Sequence, residues 1–191
     1  MSAQPPPLAV VVGCSAGGLA ALHLLLGGLS QPLPVPMVLV CHSGSEDMRL
    51  FCELLASRSG LPVREAEERQ LAQPGQVYVA PSGYHLLVEH DGRFALSVDP
   101  RVAFSRPSID VLFESAAEAW RERLLAVLLT GANADGAHGC QRVRGLGGRV
   151  IVEDPRTAHV GTMPAAALEL AGADHCLPLA DIPPLLETLC S

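Results

Sequence analysis

Four short apolar runs, each followed by a helical pattern, constrain the fold more than any other feature of the sequence. The runs are rich in Val, Leu and Ile, which is typical of parallel strands buried on both faces. They cover residues 8–12, 37–41, 124–129 and 149–152. The helical patterns cover residues 19–26, 48–57, 109–120, 136–143, 164–171 and 182–190. This alternation predicts an α/β fold, a three-layer doubly wound arrangement around a mainly parallel sheet.

One stretch of the chain departs from this alternation. Residues 77–80, 85–89 and 94–98 alternate apolar and polar side chains, as strands with one solvent-facing side do. The last two segments flank Asp91-Gly92, a dipeptide that strongly favours a hairpin turn. We therefore expect a small antiparallel hairpin excursion near residues 77–98.

Length and composition favour a single domain. A chain of 191 residues with 49% hydrophobic and 17% charged residues can bury a sizeable core. Residues 1–7 are polar and proline-rich, so we expect a short disordered lead followed by one domain over residues 8–191. The six cysteines form no C-x-x-C pair, and the sequence has neither a secretory segment nor a long apolar stretch. A cytoplasmic protein with free thiols is expected.

The charge composition of the sequence excludes several classes of function. A net charge of -7 offers no basic face for nucleic acid or for insertion at an anionic membrane. All 13 basic residues are arginine, which excludes a P-loop lysine, Schiff-base chemistry and a Ser-Lys dyad. No H-E-x-x-H motif or clustered Cys and His spacing occurs, so neither a metal nor another cofactor is expected.

A candidate nucleophile lies in the segment Gly13-Cys14-Ser15-Ala16-Gly17, directly after the first strand and before the first helix. This is the G-x-S-x-G pattern in the context it requires, because a nucleophilic serine must stand clear of its backbone on a sharp turn. The alternative is a glycine-rich turn that packs tightly or cradles a phosphate. The Rossmann order G-x-G-x-x-G is not met, but the motif alone leaves both interpretations open.

Two further residues follow predicted strands. His42 comes directly after the second strand, and Asp135 lies in the loop after the strand that ends at Leu129. Because the carboxyl ends of parallel strands meet at one sheet edge, Ser15, His42 and Asp135 are expected to converge, as a Ser-His-Asp triad must. Asp135 could instead cap the helix that begins at residue 136.

The order of triad residues along the chain separates two hydrolase classes. In the α/β-hydrolases the acid precedes the histidine, and that order would nominate His159 or His175 as the base and leave His42 idle. The chain is also short for that fold.

Several blocks of the sequence together resemble the catalytic domain of the chemotaxis protein-glutamate methylesterases, the CheB family, from Val10 to Leu189. The blocks are Gly13-Cys14-Ser15-Ala16-Gly17-Gly18, His42, residues 74–81 with His85, residues 106–113, Leu129-Thr130-Gly131 with Ala134-Asp135-Gly136, and Gly161-Thr162-Met163-Pro164. The family's triad positions fall on Ser15, His42 and Asp135. The resemblance implies hydrolysis of methyl esters on glutamate side chains of receptor or receptor-like signalling proteins, with glutamine deamidation as a related activity.

The ester hydrolysis that the resemblance implies also gives roles to other residues. Backbone N–H groups near Ala16 and Gly17 would stabilise the oxyanion. We expect Arg101 or Arg106 to border the crevice and meet acidic side chains of the substrate protein, with Arg106 as a substrate-binding residue. No cofactor takes part.

The sequence departs from the family pattern at four points. Ala16 stands where many members carry Thr, Ala132 replaces a common Met, and the residues after His42 are Ser43-Gly44-Ser45. The receiver domain typical of the family is not found before the first strand, so a stand-alone form with an open crevice is expected. These changes leave a second hypothesis in place, a catalytically impaired protein-binding module of the same fold in a signalling pathway. The oligomeric state stays open.

Overall fold

A computed structural model describes residues 5–42, 44 and 47–191 of the chain. Residues 1–4 of the expected disordered lead, and Ser43 and Ser45 of the loop after His42, lie outside the described residues. At the described end of the lead, Pro7 is buried and the carbonyl of Pro6 accepts a hydrogen bond of 3.0 Å from Arg123 Nε.

Nine strands and six α-helices make up the described part of the chain. The strands are β1 (Ala9–Cys14), β2 (Met37–Cys41), β3 (Val63–Glu65), β4 (Val77–Val79), β5 (His85–Val88), β6 (Phe94–Ser97), β7 (Leu124–Leu128), β8 (Arg149–Glu153) and β9 (His175–Leu177). The helices are α1 (Gly18–Gly27), α2 (Met48–Ser59), α3 (Ile109–Trp120), α4 (Ala137–Gly145), α5 (Thr162–Leu170) and α6 (Ile182–Cys190). Short 3₁₀ turns at Arg121–Arg123 and Leu179–Asp181 precede β7 and α6.

Seven strands form one parallel sheet in the order β3-β4-β2-β1-β7-β8-β9. The order reverses direction at β1, whose two neighbours are β2 and β7. In a doubly wound sheet this switch point opens a crevice at the carboxyl ends of the strands. The predicted fold class is therefore confirmed, and the crevice is expected beside the residues that follow β1, β2 and β7.

Helices cover both faces of the sheet because successive side chains of a strand point to opposite faces. From β1, Val10 and Val12 enter the apolar cluster beneath α1, α2 and α6. Ala9 and Val11 enter the cluster beneath α3, α4 and α5. The central strands are buried along their whole length, which explains why they appear in the sequence as continuous apolar runs.

The antiparallel excursion is smaller than the sequence predicts. Strands β5 and β6 pair antiparallel around the Asp91-Gly92 turn, in which Gly92 has a positive φ of 81°. The segment at Val77–Val79 does not join them. It lies as β4 between β3 and β2 in the parallel sheet, with all three residues buried.

Candidate active site

The register of β1 and β2 brings Ser15 beside His42. Cys14 pairs with Cys41 at the ends of the two strands, and the backbone N–H of His42 donates to the carbonyl of Cys14 at 3.1 Å. Ser15 and His42 are the next residues along each strand. Both side chains line one cavity of about 370 Å³, together with residues of α1 and α2.

The third predicted residue comes from the other neighbour of β1. Strand β7 continues the ladder past its last residue, so the carbonyl of Thr130 accepts the N–H of Ser15 at 2.9 Å. The loop that follows leads to Asp135, which is completely buried. The topological switch point thus supplies each of the three residues from a different strand end.

His42 and Asp135 are in direct contact. Nε2 of His42 lies 3.0 Å from Oδ2 of Asp135, although the oxygen lies off the direction of the ring N–H bond. The other ring nitrogen, Nδ1, lies 3.5 Å from Oγ of Ser105. Nε2 therefore faces the carboxylate, and Nδ1 faces Ser105, which lines a cavity together with His42. Catalytic hydrogen bonds are often poorly aligned before substrate binds and straighten in the reactive complex.

Asp135 does not cap the helix that follows it. Gly136 begins α4 without a side-chain cap, whereas the Asp135 carboxylate reaches the start of α3. It accepts hydrogen bonds from Ser108 Oγ at 2.8 Å, Ile109 N at 2.7 Å and Asp110 N at 3.0 Å. The contact with His42 and these three donors hold Asp135 in a single orientation.

The same contacts set the ionisation of Asp135. Burial by itself raises the pKa of a carboxyl group, because the charged form loses its hydration. In Asp135 the proximity of His42 and the hydrogen bonds from Asp110, Ile109 and Ser108 outweigh burial, and the pKa lies below its usual value. The residue is therefore a carboxylate at neutral pH.

Two glycines of the predicted nucleophile turn are required by close packing. A Cβ at Gly17 would lie 2.7 Å from Cδ2 of His159, and φ at Gly17 is +79°. A Cβ at Gly18 would lie 2.7 Å from the sulfur of Cys14 and 3.0 Å from that of Cys41. A side chain at either position would therefore displace its neighbours, and only glycine fits this turn.

In the described part of the chain, neither of the two other candidate bases is paired with an acidic side chain. His159 packs against Gly17, and His175 is in β9, the edge strand of the sheet. The carboxylate of Asp135 meets His42 instead. The histidine in contact with the buried acid thus precedes that acid along the chain, whereas in the α/β-hydrolases it follows the acid.

Both arginines near α3 border a second cavity of about 310 Å³ on the other side of His42. Nη1 of Arg106 donates to the carbonyls of Val98 and Asp99 at 2.7 and 3.0 Å, so this arginine ties its own loop together. Arg101 is exposed and makes one long hydrogen bond, 3.4 Å, to the carbonyl of Phe104. Phe104 itself is 94% exposed at the cavity rim.

Sequence reasoning missed three polar residues that surround the site. Ser108 binds Asp135, Ser105 faces His42, and the hydroxyl of Thr130 donates to the carbonyl of Ala16 at 2.8 Å. A serine just before an apolar helical pattern is a recognisable helix-start signal, and Ser108 caps α3 at Val111 N. No local pattern indicates that Ser105 or Thr130 reaches a residue so distant in the chain.

Within residues 5–42, 44 and 47–191, no group of three or more His, Cys, Asp or Glu side chains could hold a metal ion. None of the helices in the described part of the chain combines the length and apolar character needed to cross a bilayer.

Comparison with known proteins points to one family. The family model described as CheB methylesterase matches residues 10–186. A protein of Leptospira interrogans named putative protein-glutamate methylesterase/protein-glutamine glutaminase is 43% identical over 95% of this chain and 94% of its own length. A protein-glutamate methylesterase/protein-glutamine glutaminase of Symbiobacterium thermophilum is 42% identical over 93% of this chain but only 49% of its own length.

A solved structure extends the likeness to three dimensions. The Thermotoga maritima CheB methylesterase catalytic domain superimposes with a TM-score of 0.91 at 35% sequence identity. The match covers 97% of this chain and all of that domain. With a family model, relatives above 40% identity and a matching fold in agreement, the chain belongs to the CheB methylesterase family.

Proposed function

We propose that the protein is a serine hydrolase that removes methyl esters from glutamate side chains of chemoreceptor-like signalling proteins. The observation that carries the proposal is the contact of His42 with Asp135 beside the cavity that Ser15 and His42 share. The relatives' names, which combine glutamate methylesterase and glutamine glutaminase, support the choice of substrate. The expected cytoplasmic location belongs to this proposal, since six free cysteines suit a reducing compartment.

In the first step Ser15 Oγ attacks the ester carbonyl carbon while Nδ1 of His42 takes the hydroxyl proton. The resulting imidazolium is stabilised by the buried carboxylate of Asp135, which lies against Nε2. Collapse of the tetrahedral intermediate breaks the C–O bond to the methoxy group, and His42 returns the proton so that methanol leaves. An acyl-enzyme on Ser15 remains.

In the second step water attacks the acyl-enzyme with His42 again as base, and the free glutamate carboxyl group and Ser15 are released. Attack on a glutamine side chain would follow the same path with ammonia as the leaving group, which is the deamidation implied by the family.

We assign the binding site of the oxyanion to the turn after Ser15. Within the residues that the structure describes, no acceptor pairs with the N–H of Ala16 or Gly17, whereas Ser15 N and Gly18 N are both engaged. These two free donors lie directly before the N-terminus of α1, where anions are favoured. The hydrogen bond from Thr130 Oγ1 to the Ala16 carbonyl holds this turn in place.

The test is a peptide that carries one glutamate γ-methyl ester, with methanol release followed by proton NMR. We expect turnover by the wild-type chain, none by Ser15→Ala, and labelling of Ser15 by a fluorophosphonate. A well-folded wild-type chain that neither releases methanol nor takes up the fluorophosphonate, yet binds a methylated receptor fragment, would establish the alternative of an impaired binding module.

A further inference from the structure

A second buried carboxylate lies beside Asp135 and is not used in the chemistry above. Asp110 is in the first turn of α3 and only 6% exposed. Its Oδ1 accepts the N–H of Gly136 at 2.9 Å and the N–H of Gly139 at 2.7 Å. Both donors belong to the start of α4, directly after Asp135.

Each of the two carboxylates accepts hydrogen bonds from the start of the helix opposite its own segment. Asp135, from the turn before α4, binds donors at the start of α3, and Asp110, from α3, binds donors at the start of α4. The first N–H groups of a helix have no partner within the helix and carry positive partial charge. Each carboxylate therefore stabilises the start of the opposite helix. The hydrogen bond from Gly136 N to Asp110 thus holds the backbone next to Asp135, in addition to the contacts of the Asp135 side chain.

Burying two neighbouring carboxyl groups costs free energy, which argues that the arrangement is more than a pair of helix caps. Burial raises the pKa of Asp110 to about 6, and the nearby charges of Asp135 and Glu114 add to the effect. The hydrogen bonds from Gly139 and Gly136 act in the opposite direction. Two buried carboxyl groups thus lie close together where the starts of α3 and α4 meet.

Resting on the proposed function, we propose that Asp110 is a positioning residue of the active site. By accepting the N–H groups of Gly136 and Gly139, it holds the turn before α4 against α3 and so determines where the Asp135 carboxylate meets His42. It touches neither substrate nor the reacting atoms and acts only through Asp135.

The test compares two replacements of the same side chain. Asp110→Ala removes the acceptor, and we expect kcat to fall on the order of 100-fold, since a displacement of about 1 Å at a reacting group can cost that much. KM should stay within about twofold, because ground-state binding is untouched. Asp110→Asn keeps an oxygen acceptor of the same shape and should restore kcat to within roughly threefold of wild type.

Two control variants separate positioning from charge and from general stability. Glu114→Gln removes a charge from the exposed face of the same helix. Glu187→Ala removes a carboxylate that accepts the N–H and the hydroxyl of Ser30, both at 2.6 Å, in α6 on the opposite face of the sheet. Both variants should keep wild-type kcat, and Glu187→Ala should still lower the melting temperature.

A second readout does not depend on turnover. Amide hydrogen exchange at Gly136 and Gly139 should accelerate, and the ring nitrogen signals of His42 should shift, in Asp110→Ala but not in Glu187→Ala. If the wild-type chain shows no Ser15-dependent hydrolysis, the proposed function fails while these signals still decide the role of Asp110. A folded Asp110→Ala chain with unchanged kcat and unchanged His42 signals overturns the inference, as does a 100-fold loss in folded Asp110→Asn.

Discussion

Replacing Gly139 by alanine should destabilise the protein even though alanine is the better helix former. In a free helix the change would gain about 1 kcal/mol. Here α4 lies so close to α3 that an added Cβ would be 2.5 Å from Cβ of Phe113 and 3.3 Å from Cα of Asp110. Neither atom is the far end of a flexible side chain, so the two helices themselves must move apart.

The magnitude follows from these two opposing effects. Overpacking of a well-filled interface costs roughly 1–3 kcal/mol, and contacts with a Cβ and a Cα favour the upper part of that range. After subtraction of the helix-propensity gain, the free energy of unfolding should fall by about 1–2 kcal/mol. For a chain of 191 residues this corresponds to a melting temperature lower by about 3–6 °C.

The same helix supplies a matched control. Gly145 is the last residue of α4, is exposed and has no atom within 4 Å of an added Cβ. Gly145→Ala should therefore raise the free energy of unfolding by up to about 1 kcal/mol. Urea unfolding followed by circular dichroism measures both variants. If Gly139→Ala proves as stable as Gly145→Ala, the close packing of α3 on α4 is refuted.

Three further results are expected. Ser15→Ala should abolish methanol release and fluorophosphonate labelling with an unchanged melting temperature, because the side chain is half-exposed at a turn; residual labelling at another residue would contradict the assignment. Asp135→Asn should lower kcat by about 10⁴-fold in a steady-state ester assay, whereas a loss of a few-fold would leave Asp135 a structural residue. Arg101→Glu should raise KM for a methylated receptor fragment and leave hydrolysis of a small ester unchanged. Arg106→Glu breaks the hydrogen bonds to Val98 and Asp99 and should impair hydrolysis of both substrates. Equal effects of the two variants would contradict this difference.

A fifth prediction concerns pH. The pKa of Asp110 is raised to about 6 in the folded chain against about 3.9 for a free aspartate, so its contribution to stability is present below pH 4 and lost as the pH rises through 6. Asp110→Asn, which does not ionise, should therefore gain stability relative to wild type between pH 4.5 and pH 7.5. Urea unfolding at the two values measures the gain, and a difference that does not change with pH would exclude a raised pKa.

The strands that carry the site could be predicted because they are buried on both faces. Their side chains must all be apolar, and a continuous apolar run of five or six residues is a local signal. The three-residue strands β3 and β9 give no such signal, since both lie at sheet edges and are partly exposed. The sequence groups β4 with β5 and β6 because all three alternate apolar and polar residues, but the pairing of β4 with β2 and β3 is decided by distant segments.

The site shows the same division between local and distant information. Ser15, His42 and Asp135 could be selected from strand ends, because the rule that parallel strands end at one edge needs no coordinates. Asp135 could not be distinguished from a cap of α4, since a carboxylate before a helix start most often binds that helix. Only the packing of α4 on α3 directs it to Ser108 and Ile109 instead.

The position of β1 between β2 and β7 also has a kinetic consequence. Ser15 and His42 belong to a strand pair that is close in the chain, but Asp135 arrives only when β7 pairs with β1 across a long intervening segment. Such long-range pairing forms late, because the entropy of closing a large loop must be overcome first. Refolding chains should thus regain helical circular dichroism before they regain turnover, and newly synthesised chains should stay inactive until β7 has left the ribosome.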